Sequence, residues 1–274
     1  MTSSKCGGYI LLMPAALMLA ALFIVPLALV FFTSVNDGAF TARGYESIAS
    51  GVLFHRVITN TIVITIEATA ASLLIGYAIA LHLSRQSPGR RKIYLMLVML
   101  PFWTSILVKS FAFQVLLGDA GLINSVLQAL FGPSAATPLV FNRIGVMIGM
   151  INYLLPFMVL PIMSSLLAQD LALAQAAEIM GASRMLIFWR ITLPLSLPGV
   201  ISGCLMSAVL SLGMFATPAL LGGRQDMMIS NLVDFFTRQT LDWTQASAIS
   251  VLLIAMAGAL SLLLLKVRRE GVGL

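Results

Sequence analysis

Two ionisable side chains, Glu67 and Lys109, stand inside long apolar runs, and one polar, punctuated stretch, residues 175–200, interrupts a chain that is otherwise almost continuous hydrocarbon. A charge near mid-bilayer costs several kcal/mol unless it is paired or hydrated. Glu67 and Lys109 therefore either form a structural ion pair, with Lys109 free to snorkel outward, or line a polar path. Each lies about seven to eight residues from the same-side end of its run, roughly 10 to 12 Å at the helical rise, so their depths match. Aromatic faces that could hold a cation along such a path are Trp103, Tyr153 and Phe215, with Tyr77, Phe102, Phe111, Phe113 and Phe157; core or lipid-facing packing is the ordinary use of such rings. Other chemistry has little support. His55 and His82 are isolated, Cys6 and Cys204 suggest neither a disulfide nor a metal cluster, and no Ser-His-Asp or Cys-His constellation can be drawn. The 16 Met residues are scattered through apolar runs as gap fillers. No GxxxxGK[ST] phosphate loop occurs. The expectation is a chain with no catalytic, metal-binding or cofactor-binding residues.

The elements that must position these residues follow from composition: 59% of residues are hydrophobic and 9% charged, with a mean hydropathy of +1.01. Six apolar runs, near 9–32, 60–82, 93–117, 144–167, 199–221 and 244–266, each match the ~20 residues that cross a bilayer as a helix. Lipid leaves no open alternative, because unpaired backbone groups there cost several kcal/mol each. The fold class is an all-α polytopic membrane protein, a single domain over 1–274. The first run is too long for a signal peptide and is read as a retained helix. Pro14, Pro26, Pro101, Pro156 and Pro161 lie inside runs and predict kinks or breaks.

Lys and Arg favour the cytoplasmic side of short connections. With the N-terminus inside, the inner segments hold Lys5, Arg85, Arg90, Arg91, Lys92, Arg184, Arg190, Lys266, Arg268 and Arg269. The outer ones hold Arg43, Arg56, Arg143, Arg224 and Arg238 against Asp37, Glu46, Asp119, Asp226, Asp234 and Asp242. Both termini are expected in the cytoplasm. The net charge of +6 then reflects topology and membrane lipids rather than nucleic acid.

The inner connection over 168–198, between the fourth and fifth runs, carries helix chemistry. Asp170 can cap a short helix over 171–180, and Gly181 suits the left-handed residue that ends it. Ser183 can cap a second helix that presents Met185, Phe188 and Ile191 and stops before Pro194. On periodicity alone this would be an amphipathic connector lying on the membrane surface.

The same stretch resembles the cytoplasmic signature of ABC-importer permeases: Glu-Ala-Ala, three residues, Gly, nine residues, Ile, one residue, Leu-Pro. Gly181, Ile191, Leu193 and Pro194 fall at those spacings, joined by Ala176, Ala177 and Ala182. Gln175 departs from the usual Glu, and Glu178 supplies an acid three residues later. The segments Leu100-Pro101-Phe102-Trp103-Thr104-Ser105, Leu155-Pro156-Phe157-Met158 and Leu220-Leu221-Gly222-Gly223 look like spermidine/putrescine-type permeases, closer to the first permease subunit of such systems than to the second.

The resemblance implies a permease without enzymatic activity in which 168–198 is a coupling segment. Gln175, Ala176, Ala177, Glu178, Gly181, Ala182, Ile191, Leu193 and Pro194 would meet an ATP-binding subunit that itself holds ATP and Mg. It further implies two such subunits, a second homologous permease forming a heterodimer, and an extracytoplasmic solute-binding protein, at the bacterial inner membrane. The solute class is a polyamine or related small amine, the alternative an opine, phosphonate or other small organic solute. A secondary transporter would show internal repeats and a second membrane carboxylate beside Glu67, and neither is evident. A non-transporting membrane scaffold is the remaining rival.

Overall fold

The computed structural model describes residues 4–132, 134 and 137–271. The side chains of 4–12, 264 and 267–271 fall outside the described ones, and with them the expectations placed on Lys5, Cys6, Arg268 and Arg269. The described residues are helical, apart from turns, loops and an isolated bridge between Asn36 and Phe40. In chain order the helices are α1 Ser4–Ser34, α2 Arg43–Ser50, α3 Val52–Ser84, α4 Pro88–Trp103, α5 Ile106–Leu117, α6 Leu122–Phe131 and α7 Arg143–Leu167. They continue as α8 Leu171–Ile179, α9 Arg184–Ile187, a π-helical turn Phe188–Thr192, α10 Leu193–Leu212, α11 Ala216–Leu221, α12 Ile229–Arg238 and α13 Trp243–Gly271.

Six stretches are long and apolar enough to span a bilayer: Met13–Ser34, Val52–Ser84, Ile106–Phe131, Arg143–Leu167, Arg184–Leu212 and Trp243–Leu263. Their number matches the apolar runs, but three of the boundaries do not. The second helix begins at Val52 instead of 60, and its 33 residues span ~50 Å, well beyond the ~30 Å of hydrocarbon.

The run expected as one helix over 93–117 is divided into α4 and α5 at Thr104–Ser105. Pro101 lacks a donor and crowds the preceding turn, so the helix ends within a few residues of it. The Pro101 carbonyl, left without an intrahelical partner, accepts from Thr104 Oγ1 at 2.9 Å and from Lys109 Nζ at 2.7 Å. At Pro14, Pro26, Pro156 and Pro161 the helix continues unbroken.

The run expected over 199–221 starts earlier and breaks at Gly213–Phe215. There the carbonyl of Met214 accepts from Ser230 Oγ, and that of Phe215 accepts from Asn231 Nδ2 at 3.0 Å. Asn60 Nδ2 donates to the carbonyls of Gln225 and Met227, and Thr61 Oγ1 accepts the Ile229 amide at 2.9 Å. Side-chain donors and acceptors thus replace the water that irregular backbone would otherwise require.

The chain packs as two compact units. One comprises Met1–His55 and Leu232–Ile254. Within it Ser34 Oγ meets the Tyr45 hydroxyl at 2.8 Å, Gly44 lies against Ala248, and Phe54 stacks on Phe236. The other comprises Arg56–Asn231 and Ala255–Leu274, and its core is α7 clasped by α3 and α10. Ile64 and Ala68 of α3 pack on Val146, Met150 and Leu154; farther along, Ala80 and Leu83 join Met158, Val159 and Ile162.

Small residues let these helices approach closely, as bilayer packing favours. A Cβ on Gly199 would stand 2.6 Å from the Pro161 carbonyl oxygen, and one on Gly203 3.0 Å from Met158 Sδ. Gly199→Leu is expected to separate α10 from α7 at a cost of about 1–3 kcal/mol or more, read as a fall in melting temperature of the purified protein. Lys109→Leu, which strips the Pro101 carbonyl of its charged donor, is expected to cost about 1–3 kcal/mol by the same measurement, whereas Lys109→Arg retains most of the stability.

Candidate functional site

The 168–194 segment is built as its residue types require. Asp170 Oδ1 accepts the Ala172 amide at 2.9 Å and starts α8; Ser183 Oγ accepts the Leu186 amide at 3.3 Å and starts α9. Between them Gly181 adopts φ +82°, the left-handed conformation expected of it. The Ala182 amide donates to the Ala177 carbonyl and the Gly181 amide to that of Glu178, both at 3.0 Å. This pair of bonds is the Schellman closure, which satisfies the last carbonyls of α8 and turns the chain.

The second helix does not stop before Pro194. It runs from Arg184 through the π-helical turn Phe188–Thr192 into α10. A proline cannot donate, and its ring presses on the carbonyl four residues back; the wider π turn just before it relieves that crowding without ending the helix. Gln169 Nε2 donates to the Thr192 carbonyl at 3.0 Å, closing the loop from the end of α7 onto this turn. Ser165 Oγ donates to the Leu195 carbonyl, and the Tyr77 hydroxyl meets Ser196 Oγ at 3.0 Å while its ring lies edge-on to Phe188. Residues from α3 and α7 thereby hold the root of α10.

Gln175 and Glu178 line one open cleft with Arg85, Leu171, Ala174, Arg184, Ile187, Phe188 and Thr192. Glu178 forms no ion pair among the described residues. Ala176 and Ala177 contribute backbone carbonyls to the corner, Ala182 closes it, Ile191 and Leu193 are half-buried, and Pro194 is exposed. The segment around the glycine corner exposes apolar side chains: Ile179 and Met180 are each 87% exposed, and Leu171, Met185 and Trp189 are exposed as well.

At the opposite end of α7 the structure corrects the expected charge pairing. Glu67 does not meet Lys109. Its Oε2 accepts from Arg143 Nε at 2.9 Å; Arg143 also donates to Asn60 Oδ1 at 2.6 Å and lies 3.5 Å from Asp226 Oδ1. α3 starts eight residues earlier than its apolar run, and Glu67, in the middle of that helix, stands level with Arg143, the first residue of α7. Lys109 instead serves the Pro101 carbonyl and places its ammonium 5.6 Å from the Tyr153 ring centroid. Arg143 and Asp226 had looked like ordinary loop charges. The signal that could have flagged them is Asn142 ahead of Arg143, since Asn142 Oδ1 caps α7 through the Gly145 amide and makes Arg143 a helix-entry residue.

Of the aromatic candidates, Trp103 and Tyr153 are brought into one chain through Phe102 and Phe157, with centroids 5.6–5.8 Å apart. Lys109 joins it at Tyr153. Trp103 is 82% exposed. Phe215 lies elsewhere, at the break between α10 and α11.

A family model described as binding-protein-dependent transport system inner membrane component matches residues 72–268. The spermidine/putrescine transport system permease protein PotB of Haemophilus influenzae is 36% identical over 199 residues, 73% of this chain and 70% of that protein. The protein of the same description from Escherichia coli is 32% identical over 223 residues, 81% of each chain. A more distant relative is the molybdenum transport system permease protein ModB of Mycobacterium bovis, 28% identical over 203 residues, 72% of this chain and 75% of that one. Among solved structures, a chain of a bacterial alginate ABC transporter in complex with an alginate-bound periplasmic protein superposes with a TM-score of 0.80 at 18% identity, covering 93% of this chain and 91% of that one. With six bilayer-length apolar helices and these matches, the chain is a multi-pass permease subunit of an ABC importer, a membrane component and not the ATPase, and it belongs to the binding-protein-dependent transport system inner membrane component family.

Proposed function

We propose that this permease imports a polyamine such as spermidine or putrescine, delivered from outside by a solute-binding protein, and that residues 168–198 receive the driving force. Two ATP-binding subunits hold ATP and Mg, and a second, homologous permease completes the path as a heterodimer. Support for the solute comes from the two relatives named for spermidine/putrescine transport and from the Trp103–Phe102–Phe157–Tyr153 chain, whose ring faces suit cations. The split of Lys and Arg supports an orientation with both termini, and the 168–198 segment, in the cytoplasm.

The observation that carries the coupling role is the apolar corner at Gly181. Ile179 and Met180 project from it into solvent, which for a lone chain is unfavourable and for a docking element is what a cleft on a partner needs. From there the chain passes through α9 and the π turn into α10 without an interruption of helix. Closure of the ATP-binding subunits pushes on the corner, α10 moves with it, and the bundle opens toward the binding protein; hydrolysis and release reverse the motion. Gln175 in place of the usual acid leaves Glu178, in the same cleft as Arg85 and Arg184, as the carboxylate of this surface.

A Cβ at position 181 meets no other atom within 4 Å, so substitutions act through the positive φ and through the partner rather than through internal crowding. Gly181→Val is expected to cost about 1–2 kcal/mol locally and to abolish solute-stimulated ATP hydrolysis in the assembled transporter while membrane insertion persists. Gly181→Asn, which tolerates the left-handed region, is expected to retain most of the coupling. Full coupling in the valine variant would overturn the assignment.

A further inference from the structure

The Arg143 junction has a property that a purely structural ion network does not need. Its two carboxylates are held unequally. The Asp226 side chain is 10% exposed, and its Oδ2 accepts the Gly223 amide at 3.0 Å, so it is fixed in the 222–228 loop. The Glu67 side chain is 46% exposed and is held through Oε2 alone; Oε1 has no hydrogen-bond partner among the described residues. Arg143 has further partners: Asn60 Oδ1 at 2.6 Å and the Asp226 carboxylate at 3.5 Å. Two carboxylates face one guanidinium, so these three side chains together carry a formal charge of −1.

We propose that Glu67 is an exchangeable cation site, at which an ammonium group of the incoming solute takes the place of the Arg143 guanidinium. The guanidinium already shows that a charge-assisted N–H donor fits against Oε2. When an ammonium arrives, Glu67 keeps a charged partner, Arg143 keeps Asp226 and Asn60, and no buried charge is left alone. A neutral or anionic solute gains nothing from the exchange and leaves the Glu67–Arg143 bridge closed. The site selects for cations where the middle of α3 meets the start of α7, at the end of α7 opposite the 168–194 corner, and Arg143 acts there as a positioning residue. This inference rests on the polyamine reading for the identity of the cation.

The test uses the assembled transporter with its binding protein in proteoliposomes. Glu67→Gln is expected to raise KM for spermidine and putrescine about tenfold, the worth of one charge-assisted hydrogen bond, with Vmax changed less than KM, and Glu67→Asp to restore most of it. An unchanged KM in Glu67→Gln overturns the proposal. Carbodiimide labelling of Glu67 in the unaltered complex, read by mass spectrometry, needs no variant: spermidine is expected to protect it, and unchanged labelling counts against exchange. If the unaltered complex takes up neither polyamine, the polyamine reading fails; protection of Glu67 without uptake would remove that reading alone, and uptake without protection would remove the exchange alone.

Discussion

A backbone amide or carbonyl held away from water must find another partner, and at three places among the described residues where the chain leaves the α-helical ladder, side chains supply one. At Thr104–Ser105 the carbonyl of Pro101 is met by Thr104 and Lys109. At Gly213–Phe215 the carbonyls of Met214 and Phe215 are met by Ser230 and Asn231. Ahead of Pro194 the ladder widens into a π turn whose last carbonyl, that of Thr192, is met by Gln169. Polar side chains are scarce in a sequence with 9% charged residues, and several of those available are committed to these duties. The cost of an unmade hydrogen bond away from water explains why they lie where they do.

The same constraint explains which parts of the fold could be read from the residues. Helix number followed from run length, because a bilayer imposes one length on every span. The 168–194 corner was legible almost residue by residue, since Asp170, Gly181 and Ser183 act through local geometry that depends only on their own neighbours. The continuation through Pro194 was not legible. A proline in sequence shows that one amide is missing, and whether the chain stops or widens into a π turn is decided by Gln169, Ser165 and Tyr77, which reach this turn and the root of α10 from other helices.

The partner of Glu67 was hidden for a related reason. Counting along an apolar run places a residue on its own helix and says nothing of the neighbouring helix at that level. Glu67 lies in the middle of α3, and the first residue of α7, Arg143, comes level with it and reaches it. Lys109, near the start of α5, is met by the C-terminal end of α4 and a ring face rather than by a carboxylate. A cation near a helix C-terminus gains from the terminal carbonyls, so a lone lysine in a membrane segment does not require an acidic partner.

The two charged ends of the second unit are joined by one element. α7 begins at Arg143, in the ionic junction with Glu67 and Asp226, and ends at Leu167, next to the 168–194 corner. Along its 25 residues, ~37 Å at the helical rise, it is packed against α10 through Gly199 and Gly203 and against α3 through Gly76. Interfaces that admit no Cβ have few alternative packings, so a displacement at one end is carried along the helix rather than absorbed by side chains. The Arg143 end is the softer one, since an exposed carboxylate can change partners at little cost, whereas the Gly199 contact cannot. Under the proposed coupling role, a force applied at the corner would have its compliant point at Glu67, the residue proposed to exchange partners with a cation.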